Sequence, residues 1–69
     1  MLKELKRSHL LLAEAKGNLI AALREAEAKD QRSDEAFLGI ACVNVIEALE
    51  TSESLISDLE TAEVNPYDR

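Results

Sequence analysis

Two long stretches of this chain carry their apolar residues in alternating steps of three and four. That spacing suits an α-helix with one buried stripe and little else. In the first stretch the seam reads Leu2, Leu5, His9, Leu12, Lys16, Leu19, Leu23 and Ala26, widened on one side by Ala13 and Ile20. In the second it reads Phe37, Ala41, Val45, Ala48, Ser52, Leu55, Leu59 and Ala62. Between them residues 29–35 lose every apolar side chain, and Ser33 or Asp34 supplies an oxygen to cap a second helix. Near the end Asn65 precedes Pro66, whose ring disfavours helical angles at the residue before it. The pattern predicts one all-α domain over 1–69: helix one about 2–29, a turn about 30–33, helix two about 34–63 and a tail 64–69. An antiparallel hairpin turning near Gln31 pairs residues whose numbers sum to about 64. Leu23 then faces Ala41, Leu19 faces Val45, Leu12 faces Ser52 and His9 lies opposite Leu55.

Length then restricts how such a hairpin can be stable. Sixty-nine residues are too few for two domains and bury little surface alone. One Cys makes no internal disulfide, and one His with one Cys makes no Cys/His zinc site. Residues 36–46 of helix two are apolar nearly all round, and Ile40, Val43 and Ile46 point away from the seam. A homodimer of hairpins forming a four-helix bundle is the economical way to cover them. Phe37, Ile40, Val43 and Ile46 are thus expected to be dimer contacts or an exposed binding patch.

The charges are divided unevenly. Residues 1–32 hold seven bases and five acids, whereas residues 33–69 hold one base and nine acids, within an overall −6. In an antiparallel hairpin Lys3, Lys6 and Arg7 come near Asp58, Glu60 and Glu63. The acidic second half is also suited to a basic protein surface. Direct nucleic-acid binding is disfavoured by the overall charge. Leu10, Leu11 and Leu12 are too short a run for a signal-peptide core, and no apolar stretch is long enough to span a bilayer. With a single unpaired Cys, the expected location is the cytoplasm.

No catalytic constellation is visible, and no cofactor is expected. Lys16 lacks a companion that would make it a nucleophile, and snorkelling toward Glu47 or Glu50 accounts for it. His9 has no second ligand at metal-binding spacing, and Cys42 has no base beside it. Glu47, Glu50 and Glu53 step around the outside of helix two, where carboxylates are solvated or meet a basic partner.

Three resemblances bear on function. Leu12, Ala15, Lys16, Asn18, Leu19 and Ala22, followed by Asp34, Phe37, Leu38 and Ala41, resemble one helix pair of the HEPN ribonucleases. That family's Arg-x4–6-His motif is absent, since the only His follows Arg7 and Ser8, so ribonuclease activity does not carry over. In size and hairpin layout the chain is similar to the plasmid regulator Rop, which implies an RNA-binding alternative using Lys3, Lys6, Arg7 and Arg24. Over its whole length the acidic two-helix layout resembles small temperate-phage inhibitors of host regulators, the anti-quorum-sensing kind. That likeness implies binding to a LuxR-type transcription activator and to a pilus-assembly ATPase, and transfers no binding residue.

The expected function is therefore a non-enzymatic protein-interaction module that inhibits a host regulator. Asp34, Glu35, Ile46, Glu47 and Glu50 are the expected partner-binding residues. The alternatives are the Rop-like RNA binder and a structural subunit of a helical assembly.

Overall fold

The computed structural model describes residues 1–64, with side-chain surroundings through Ala62. Two helices pack against each other as an antiparallel hairpin: α1, Leu2–Ala28, and α2, Arg32–Val64. Among the described residues there is no strand. The result is a slab measuring 56 × 17 × 13 Å, only one helix thick. Of the tail expected over 64–69, Val64 is the last residue of α2 and the rest lies outside the described residues.

The connection is tighter than the sequence suggests. Asp30 adopts a left-handed φ of 54°, a conformation that Asp tolerates better than most residues with a Cβ. Its N–H donates to the Glu27 carbonyl at 3.1 Å, and the Gln31 N–H donates to the Ala26 carbonyl at 2.9 Å. This crossed pair of bonds is a Schellman closure, which satisfies carbonyls that the end of α1 would otherwise leave free. Beside it, the Lys29 ammonium pairs with Glu25 at 2.8 Å one turn back. Because the chain has reversed by Asp30, α2 begins at Arg32 and not near Asp34. The Glu35 N–H donates to the Gln31 carbonyl at 2.9 Å. Ser33 and Asp34 therefore lie inside the first turn instead of capping it, and Asp34 and Glu35 place negative charge where free N–H groups favour it.

The earlier turn resets the register along the whole hairpin. His9 Nδ1 lies 2.6 Å from Ser52 Oγ, so His9 is opposite Ser52 and not Leu55. Continuing that register at 1.5 Å per residue pairs Leu12 with Leu49, Lys16 with Val45, Leu19 with Cys42 and Leu23 with Leu38. On α1 the seam is the one its spacing predicts: its eight residues are all half-buried or buried, with Ala26 3% exposed. On α2 the seam is Leu38, Cys42, Val45, Leu49, Ser52, Ile56 and Leu59. Compared with the predicted stripe, helix two is rotated by about 50°. Cys42 and Ser52 are each 7% exposed, while Phe37 at 70% and Leu55 at 48% stand outside the seam. Val45, Ser52 and Leu59 belong to both stripes, which is why a one-residue choice at alternate positions separates the two readings.

Candidate interaction surface

The outer side of α2 brings part of the expected contact set together. Ala36, Ile40, Val43, Glu47, Glu50 and Ser54 follow one another in steps of four and three, and all six are exposed. At 100° per residue they form one ridge pointing away from α1, with successive side chains about 5–6 Å apart at Cβ. The ridge is apolar toward the turn, where Ile40 is 58% and Val43 54% exposed, and acidic beyond it at Glu47 and Glu50. Neither carboxylate forms an ion pair within 4 Å among the described residues. Next to Glu50 a shallow groove of about 450 Å3 is lined by Glu53, Ser54, Ser57 and Asp58, extending the negative surface along the helix.

The remaining expected residues fall elsewhere. Ile46 is half-buried on one flank of α2, and Phe37 occupies the opposite flank. Asp34 and Glu35 lie in the first turn of α2, Glu35 half-buried at the level of Ala26, so they are not part of the ridge. Phe37, Ile40, Val43 and Ile46 consequently do not make one patch. Steps of three residues wind them around the helix by about 60° each, from one flank over the ridge to the other.

The open end of the hairpin is organised by polar contacts between the helices. Ser52 Oγ lies 2.6 Å from His9 Nδ1 across the helices and 3.0 Å from the Leu49 carbonyl on its own helix. Since both residues occupy the seam, this contact joins the two helices and holds their register. Lys6 Nζ meets Glu60 Oε2 at 2.9 Å across the helices, one of the cross-hairpin pairings expected from the charge division. Lys16 is half-buried and makes no ion pair within 4 Å among the described residues, so the expected reach to Glu47 or Glu50 is not made. Those acids face outward, and the seam position of Lys16 faces Val45. At the start of α1 the Glu4 carboxyl is held below its ordinary value, first by its own backbone N–H and then by the terminal ammonium 3.3 Å away.

Among the described residues no group of three His, Cys, Asp or Glu side chains is placed to hold a metal ion. No helix among them is long and apolar enough to cross a membrane. Sequence reasoning missed Leu38, Leu49 and Ile56 as seam residues. Bulk was an available signal only at Leu49, which is larger than the Ala48 assigned to the seam, whereas Leu38 and Ile56 are no larger than Phe37 and Leu55. No family model matches this chain, and no curated protein or solved structure is significantly similar to it.

Proposed function

We propose that this chain is a small non-enzymatic interaction module that binds and inhibits a regulatory protein through the outer ridge of α2. The observation that carries the reading is the coincidence of Ile40 and Val43 with Glu47 and Glu50 on one ridge, all exposed and none used by the hairpin. An apolar strip continued by unpaired acids suits a partner whose own surface is apolar beside a basic patch. The resemblance to temperate-phage inhibitors names the class: a transcription activator of the LuxR type in the host cytoplasm, with a pilus-assembly ATPase as a second partner. Against an activator the acids meet the basic surface that reads DNA and compete with the phosphate backbone for it.

A mobility-shift competition with a purified LuxR-type activator on its operator tests this directly. The wild-type chain is expected to release the activator from DNA. Glu47→Lys combined with Glu50→Lys should weaken release by about tenfold or more, because like charges then face each other. Release at wild-type potency by that variant overturns the assignment of the ridge.

A further inference from the structure

One flank of the hairpin carries a second set of heptad positions that neither the seam nor the ridge uses. On α2 these are Phe37, Ala41, Asn44, Ala48, Thr51 and Leu55; on α1 they are Ser8, Leu11, Ala15, Asn18 and Ala22. Both sets lie roughly 90° from their own seam, and antiparallel packing turns them to the same side of the slab. The groove shared by Ala22 of α1 and Phe37 of α2, about 500 Å3, opens on that side, with Glu25 and Asp34 at its turn end. Neither set contains a charged residue, yet Leu11 is 54%, Phe37 70% and Leu55 48% exposed.

The exposed area leaves room for an interface of standard size. The chain exposes 5399 Å2, while a compact protein of its mass exposes roughly 4,300 Å2. The excess is greater than the roughly 800 Å2 each partner contributes to a standard interface. Charge selects the occupant. The ridge carries unpaired acids and each chain carries −6, so a like ridge is repelled there, and a second copy meets the least charge on the flank between its Glu25–Asp34 end and the open end.

We propose that a second copy of this chain docks on this flank, stripe against stripe, to give a four-helix bundle. Leu11, Phe37 and Leu55 become covered, and the alanines between them allow the helices to approach closely. In the register set by His9 and Ser52, Asn18 and Asn44 lie at nearly the same level, and their amides form the polar layer that aligns the two copies. This arrangement differs from a dimer built on Ile40 and Val43. It leaves both of them, with Glu47 and Glu50, open on the outside of the bundle, and it does not rest on the ridge's having a regulator as partner.

Sedimentation equilibrium of the full chain across a hundredfold concentration series tests the proposal together with thiol labelling. The expected mass at the higher concentrations is twice 7.6 kDa, and Ala48→Glu should shift the chain toward the monomer. Because that variant could lose its fold as well, labelling supplies the second reading in a Cys42→Ala background. Asn44 and Ser54 are both exposed in the single chain. A thiol from Asn44→Cys should react about tenfold more slowly than one from Ser54→Cys when the dimer is populated, and equally fast on dilution. A mass of one chain at every concentration overturns the proposal. So does a dimer in which the thiol at position 44 reacts as fast as that at 54, or protection of position 44 that appears only when the activator is added. None of these readouts measures DNA release, so their failure leaves the ridge reading standing.

Discussion

The half of the hairpin beside the turn and the half at its open end share one seam and differ in nearly everything outside it. Beside the turn, α2 carries no charge over residues 36–46 and exposes Phe37, Ile40 and Val43. Toward the open end it carries Glu47, Glu50, Glu53, Asp58 and Glu60, and the helices are joined by His9 to Ser52 and Lys6 to Glu60. A two-helix hairpin needs one buried stripe per helix, and both halves supply it. Beside the turn the excess apolar surface lies on α2, at Phe37, Ile40 and Val43, and toward the open end it lies at Leu10, Leu11 and Leu55. The uncharged run makes the α2 ridge beside the turn surplus to the hairpin and available for contacts.

Seam and ridge residues of similar size should respond very differently to truncation. Leu49→Ala in the seam should cost about 2 kcal/mol by chemical denaturation. Ile40→Ala on the ridge should change stability by less than about 0.5 kcal/mol, Ala being the better helix former. Equal losses would mean that the ridge supports the hairpin after all. A smaller effect is expected at the polar layer of the open half. Ser52→Ala removes the hydrogen-bond partner of His9 Nδ1 and should cost about 1 kcal/mol. Adding His9→Leu should recover most of that loss, because both polar partners are then gone. Additive losses in that cycle would show that the pair is not coupled.

At the turn a substitution is expected to raise stability. Asp30→Gly relieves the left-handed strain at φ 54° and should stabilise the hairpin by about 0.5–1 kcal/mol. The smallest change belongs to Lys6→Gln. Its ion pair with Glu60 is half-exposed on both sides, and its loss should lower stability by less than about 0.5 kcal/mol. That deficit should vanish in molar salt.

The fold class was legible because helix periodicity survives local ambiguity: two charged, Pro-free stretches with heptad spacing and a polar break leave few alternatives to a helical hairpin. The seam of α1 was legible because its large residues occupy one stripe. That of α2 was not, since its first half is apolar all round and periodicity there has no contrast to work with. The choice between Phe37 and Leu38, or between Leu55 and Ile56, is made by the register, and the register is set by where the turn closes. The turn in its place depends on Asp30, a residue of many possible roles, adopting a conformation that composition does not announce. The same limit shaped the contact surface. Glu47, Glu50, Ile40 and Val43 sit together once the seam is placed, whereas Asp34, Glu35, Phe37 and Ile46 were grouped with them by sequence proximity and are separated by helix rotation.

The proposed function requires the ridge of α2 to be surplus to the hairpin and open to a partner. Titration of the Ile40→Gln, Val43→Gln variant into a purified LuxR-type activator, with the folded state followed in the same samples, addresses it most directly. Gln is at least as good a helix former as the residues it replaces. The expected result is a fully folded chain whose affinity for the activator falls by about tenfold or more. Undiminished binding by the folded variant, or loss of the fold itself, would contradict the claim.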